Sequence, residues 1–129
     1  MSDVITIGEL ARQSGLSAYT IRYYESIGII RPIRRAASGH RRYHRDDRRW
    51  LEFVLKLKRT GMPLAEIKRY AQLRAQGDSS LQPRLAMLAL HRERLAAKTA
   101  DIAKCAAVLD DKIRAYRKMI AQTATKRKR

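Results

Sequence analysis

The chain has 129 residues, enough for one compact unit or a small head with an extension, and a second catalytic domain does not fit. Lys+Arg number 29 against 12 Asp+Glu, and the formal charge of +17 points to a polyanionic partner, nucleic acid or an anionic membrane surface, without choosing between them. No apolar run reaches the roughly 18 residues of a membrane span, Met1-Ser2-Asp3 lacks a signal-peptide pattern, and the lone Cys105 leaves neither an internal disulfide nor a multi-thiolate site, so a soluble cytoplasmic protein is expected.

The first element opens at Thr6-Ile7-Gly8-Glu9, which reads as a capping box: the Thr6 oxygen can accept from the Glu9 amide while Glu9 reaches back to the Thr6 amide. A helix is predicted from Ile7 to about Gln13. Gly15 can take the left-handed conformation that ends it, and Ser17 offers the next N-cap, with Leu16 and Ile21 placed as a hydrophobic staple. The second helix covers about Ala18 to Ile27. Two short helices joined by a glycine-containing turn form the helix-turn-helix pattern, whose second helix can enter a DNA major groove.

Beyond Gly28, Ile29-Ile30-Arg31-Pro32 suits a short edge strand, Ala36-Ala37-Ser38-Gly39 a turn and Arg41-Arg42-Tyr43 a return strand, which together make a wing. Arg31 to Arg49 holds eight arginines against only Asp46 and Asp47, a dense cationic surface. Asp46 can cap a third helix that carries Trp50, Leu51, Val54 and Leu57 at helical spacing and stops at Gly61. Pro63 opens a fourth helix, Leu64 to about Ala75, with Ile67 and Leu73 inward and Gly77 at its end.

The remaining pattern is a heptad. The d series reads Leu81, Leu88, Leu95, Ile102, Leu109 and Tyr116, and the a series Leu85, Arg92, Thr99, Ala106, Ile113 and Ile120. A helix of about 60 Å cannot bury such a stripe on a small head, so a partner helix from a second copy is expected, with Arg92 and Thr99 weakening the seam while fixing its register. The expected dimerisation residues are Leu81, Leu85, Leu88, Leu95, Ile102, Leu109, Ile113 and Tyr116. The fold class is therefore mostly α: a winged helix-turn-helix head over residues 1–76, a long coiled-coil dimerisation helix over 77–121, and a basic, disordered tail over 122–129.

Thr20-Ile21-Arg22-Tyr23-Tyr24-Glu25, followed by Gly28 and Pro32, then Gly39-His40-Arg41-Arg42-Tyr43, then Gly61-Met62-Pro63-Leu64-Ala65-Glu66-Ile67, strongly resembles the MerR family of transcription regulators. Ile7-Gly8-Glu9-Leu10-Ala11 and Gly15 match the family's opening, and the resemblance runs motif by motif from Ile7 to about Arg74. Pro63 departs from the serine or threonine expected there, which alters only how the fourth helix starts. The resemblance implies antiparallel pairing of the long helices, and DNA contacts from Arg22, Tyr23 and Tyr24, from Arg41 and Tyr43 in the wing, and from Lys58 to the backbone.

Independently, Tyr19, Thr20, Arg22 and Tyr23 lie on or near the presented side of the second helix, where Arg can pair with a guanine edge or a phosphate and hydroxyls can hold phosphates. Ser17 and Arg42 complete the candidate DNA-binding set. For Tyr24 a core position is as open as a DNA contact. The wing arginines and Lys58 each have a plain solvated-surface alternative.

His40 and His44 fall in the wing and His91 early in the long helix, without ligand spacing, so no metal or other cofactor is expected. Cys105 occupies a g position beside Ala106. An inert, partly buried thiol is the plainer reading, and a redox- or electrophile-sensing thiol at a dimer interface the sharper one.

The function expected is regulation by a homodimer that binds palindromic promoter DNA and, as the resemblance implies, twists an over-long spacer for RNA polymerase. A redox or aldehyde signal is a candidate input, because short family members with few cysteines include such regulators. No ligand-binding domain follows the long helix, so a bulky drug pocket is not expected. The alternative is an architectural or excisionase-like winged-helix protein, against which the heptad argues. An enzyme lacks any phosphate loop, nucleophile elbow or carboxylate–histidine cluster to stand on.

Overall fold

The computed structural model describes residues 3–35 and 40–127. Its elements in chain order are β1 (Val4–Thr6), α1 (Ile7–Ser14), α2 (Ala18–Ser26), β2 (Arg34–Arg35), β3 (Arg41–His44), α3 (Asp47–Arg59), α4 (Leu64–Ala75), a 3-10 turn (Gly77–Ser80) and α5 (Leu81–Arg127). Met1–Leu88 and Ala89–Arg129 form two compact units.

In the first unit, α1 starts and stops where its caps dictate. The Thr6 Oγ1 accepts from the Glu9 amide at 3.1 Å, and the Thr6 hydroxyl donates to the Glu9 carboxylate at 3.2 Å, so Glu9 returns to the Thr6 side chain and not to its amide. Gly15 takes φ 75°, open to glycine at little cost, and its amide closes on the Ala11 carbonyl. Ser17 then caps α2 by accepting from the Thr20 amide at 3.1 Å.

The sheet is three-stranded in the order β1-β3-β2, all pairs antiparallel. Strand β1 is a gain over the sequence pattern, since three residues are too short to show a period. It pairs Ile5 with Tyr43, and both side chains point into the core. The wing is the β2–β3 hairpin, and the turn expected at Ala36-Gly39 lies outside the described residues.

The edge strand expected at Ile29-Ile30-Arg31-Pro32 is not formed. Gly28 at φ 85° turns the chain so that the Ile29 amide bonds the Tyr24 carbonyl at 2.8 Å, and the Ile29 carbonyl accepts from the Trp50 indole at 2.8 Å. Ile29 and Ile30 are both buried, which successive residues of a half-exposed strand cannot be. The segment is a lid on the core, and the strand begins later, at Arg34.

Asp46 does not cap α3. Its backbone already lies in the helical region and its side chain makes no cap bond, while the Asp47 carboxylate accepts from the His44 amide at 3.1 Å. Burial raises the Asp47 pKa above the usual carboxylate value, with that hydrogen bond and the Arg74 charge opposing. Trp50, Leu51, Val54 and Leu57 line the core as the spacing predicts. On α4 the inward residues are Ile67, Tyr70 and Ala71, whereas Leu73 is only half-buried. Tyr70 stacks on Trp50 with ring centroids 5.9 Å apart, and Arg74 covers the indole at 4.4 Å, so the α3–α4 contact is largely aromatic.

Helix α5 has 47 residues, about 70 Å of rise, and none of its residues is buried. Met87 and Leu88 in its third turn pack against the core of the first unit, so Leu88, expected at a dimer seam, also serves the head. In the second unit Ile102 is 69% exposed, and Leu109, Ile113, Tyr116 and Ile120 are also open, while Leu95 is half-covered. The disordered tail expected over residues 122–129 is replaced by helix as far as Arg127. Thr123 and Thr125 bond back to the carbonyls of Met119 and Ala121, and Lys126 and Arg127 complement the negative end of the helix.

Candidate nucleic-acid interface

Helix α2 presents one open face and one closed face. Tyr19 is 78% exposed, and Arg22 and Tyr23 stand exposed beyond it, whereas Ile21 and Tyr24 are sealed in the core. Thr20 is half-covered, its hydroxyl 3.0 Å from that of Ser17, so the two hydroxyls at the start of the helix hold each other. Three donors therefore point outward from a rigid, capped helix: two phenols and a guanidinium, suited to phosphates and to base edges.

Two of the tyrosines singled out for DNA contact sit elsewhere. Tyr24 is buried, its ring 6.2 Å from that of Tyr23, and its hydroxyl accepts from the Lys58 ammonium at 3.2 Å. Lys58 in turn lies 5.7 Å from the Tyr24 ring centre, so the end of α3 carrying this exposed cation is tied to the recognition helix. Tyr43 is fully buried, because β3 must turn one side chain in two toward the core and Tyr43 pairs with inward-facing Ile5.

The Tyr43 hydroxyl meets no acceptor in hydrogen-bonding geometry among the described residues, although the Glu25 carboxylate is close enough to act on it electrostatically. Burial first, and the Glu25 charge second, push the Tyr43 pKa from 10.0 to about 12, against the opposing charges of Arg41 and Arg22.

The wing reaches the recognition helix through an ion pair. Arg41 Nε on β3 lies 2.5 Å from Glu25 Oε2 on α2, with side chains 32% and 13% exposed. Arg41, expected as a free DNA contact, is thus engaged by a carboxylate. Arg42 is half-covered, with its guanidinium 3.4 Å from the Arg41 carbonyl. Arg31, His40, Arg45, Arg48 and Arg49 stand exposed on this cationic segment. Glu25 is the functional residue that the sequence reading passed over. It stood inside the Arg22-Tyr23-Tyr24-Glu25 motif, and a lone acid amid this basic excess was the available signal.

Among the described residues no group of three or more His, Cys, Asp or Glu is arranged to hold a metal, and no helix is long and apolar enough to cross a membrane. Cys105 is a free, exposed thiol on α5.

The sequence profile of the MerR HTH family regulatory proteins matches residues 5–73, and that of the MerR DNA-binding region matches residues 48–112. The chain belongs to the MerR family. Within it, the chain is 31% identical over 121 residues to an uncharacterised HTH-type transcriptional regulator of Haemophilus influenzae, covering 94% of this chain and 90% of that protein. It is 37% identical over 91 residues to the HTH-type transcriptional regulator AdhR of Bacillus subtilis, covering 70% of this chain but 65% of AdhR.

Among solved structures, that of HiNmlR, a MerR family regulator lacking the sensor domain and bound to promoter DNA, superposes with a TM-score of 0.76 at 31% identity, over 92% of this chain and 94% of that one. A MerR family regulator from Listeria monocytogenes gives the same TM-score at 36% identity, over 84% and 83%. As in any MerR-family chain, the helix-turn-helix, wing and long helix follow one another, and the geometry above is this member's own version of that head.

Proposed function

We propose that this MerR-family DNA-binding transcription regulator works as a homodimer on a palindromic promoter site, with one α2 entering the major groove of each half-site. The observation that carries the reading is the outward face of α2, where Tyr19, Arg22 and Tyr23 stand exposed beside a wing anchored to the same helix by the Arg41–Glu25 pair. The DNA-bound relative of matching length supports the same mode of docking. The open apolar stripe of α5 supports pairing with a second copy, in the antiparallel sense expected of the family.

In this reading Arg22 reads a base edge and Tyr19 and Tyr23 hold phosphates. Lys58, Arg42 and the exposed arginines of the wing segment supply sequence-independent attraction. Ser17 serves as the cap that presents the helix. Tyr24 and Tyr43 act from inside: one orients Lys58, and the other packs under the Glu25–Arg41 pair. Distortion of the promoter spacer then places RNA polymerase contacts in register, and the regulator acts in the cytoplasm. A redox or aldehyde input would fall on Cys105, whose thiol is open to reagent.

The experiment is a titration of parent protein and Arg22→Ala against a selected operator and a scrambled duplex at several salt concentrations. Arg22→Ala should lose about 1 to 3 kcal/mol of preference per half-site while its salt slope on scrambled DNA changes little. Equal losses on both duplexes would refute base reading by Arg22.

A further inference from the structure

Between α4 and α5 the chain turns in only four residues, Gly77–Ser80, and the turn is tied by a compact set of bonds. Ser80 is 1% exposed, a buried hydroxyl in an interior otherwise lined by apolar and aromatic side chains. Its proton lies between the carbonyls of Leu73 and Gly77, the latter 2.8 Å away. Its oxygen accepts from Arg84 Nε at 3.0 Å, and a second nitrogen of Arg84 donates to the Gly77 carbonyl at 2.9 Å. The knot thus joins the last turn of α4, the 3-10 turn and the first turn of α5 through side chains.

We propose that Ser80 and Arg84 are positioning residues for operator recognition: they fix the direction in which α5 leaves the head, and so the separation of half-sites that the regulator accepts. The inference rests on the dimeric reading above. A hydroxyl buried among hydrogen-bonding partners holds a joint at one angle, because rotation would leave carbonyls and a guanidinium unpaired. Apolar packing by Met87 and Leu88 holds the same joint without directional preference.

The leverage is large. A tilt of about 10° carried along about 30 Å of helix moves its far end by about 5 Å, more than the roughly 3.4 Å rise of one base pair. Two-fold binding proteins match half-site spacing to their own geometry, so a loosened joint should tolerate wrong spacings.

The test uses the full chain and duplexes built from a half-site selected out of random-sequence DNA by the parent protein. One duplex carries a single half-site, and a series carries two at spacings stepped by one base pair. Ser80→Ala should bind the single half-site within about twofold of the parent, while its preference for the best spacing over its neighbours falls about threefold or more.

Arg84→Ala, which empties no buried site, should shift the preference in the same direction and guards against a folding defect in Ser80→Ala. Parent-like spacing preference in both variants would overturn the positioning role alone. So would proportional losses on single and paired half-sites, which mark a merely structural part. A parent protein indifferent to spacing would overturn the dimeric reading and this inference with it.

Discussion

Arg41 and Glu25 join the wing to the recognition helix: the Arg41 guanidinium on β3 meets the Glu25 carboxylate on α2 at 2.5 Å, and the acid is only 13% exposed. A carboxylate so placed on a DNA-facing surface repels phosphate, so its presence needs a return, which is a wing held at a fixed angle to the helix. Glu25→Gln is expected to destabilise the fold by about 1 to 2 kcal/mol, less than a fully buried pair would cost, because Arg41 keeps part of its hydration. Operator affinity is expected to fall as well, although the change adds a positive charge. Urea unfolding and operator titration of Glu25→Gln, Arg41→Ala and the double variant check this. Additive effects, or tighter operator binding by Glu25→Gln, would show that the pair positions nothing.

The exposed stripe of α5 leads to a second expectation. Leu95→Glu together with Ile102→Glu should convert a dimer to monomers, since charge placed at two successive d positions opposes burial of the seam. Sedimentation at micromolar concentration reads the outcome directly, and a monomeric parent protein would end the dimer reading.

Tyr43 yields a pH expectation. Its pKa rises from 10.0 to about 12 in the fold, so between those values the unfolded chain releases the proton while the folded chain keeps it. Stability contributed by the protonated phenol is therefore complete below about pH 10 and declines as the pH climbs toward 12. Tyr43→Phe should remove this alkaline component from urea midpoints measured at pH 7, 10 and 11.5. At pH 7 it should change stability by less than about 1 kcal/mol, because the buried hydroxyl has no aligned hydrogen bond to lose. An unchanged alkaline decline in the variant would assign the effect to other groups.

Cys105→Ser should bind operator within about twofold of the parent, since the thiol lies on α5, in a compact unit other than that of α2 and the wing. If the thiol senses oxidants or aldehydes, a promoter-fused reporter carrying this variant loses its response to them. Full induction of the variant by every such compound would remove Cys105 from the sensing role.

The sequence by itself determined every feature governed by neighbours a few positions apart. Thr6 and Ser17 start helices and Gly15 ends one through contacts within a single turn, and Trp50, Leu51, Val54 and Leu57 mark the inner face of α3 by spacing alone. The family motifs and the heptad from Leu81 to Tyr116 were legible for the same reason, being ordered along one chain. Tertiary structure alone decided which polar residues of those motifs face outward. Tyr23 and Tyr24 are adjacent and chemically identical, yet Tyr24 is buried because α3 brings Lys58, 34 positions away, to its hydroxyl. The Trp50 indole, 21 positions from Ile29, takes the carbonyl that a strand there would have needed. Arg41 lost its freedom to Glu25 across the β3–α2 contact. Periodicity reports which face of one element is apolar; which partner meets a given polar atom depends on how separate elements pack, and no local pattern encodes that.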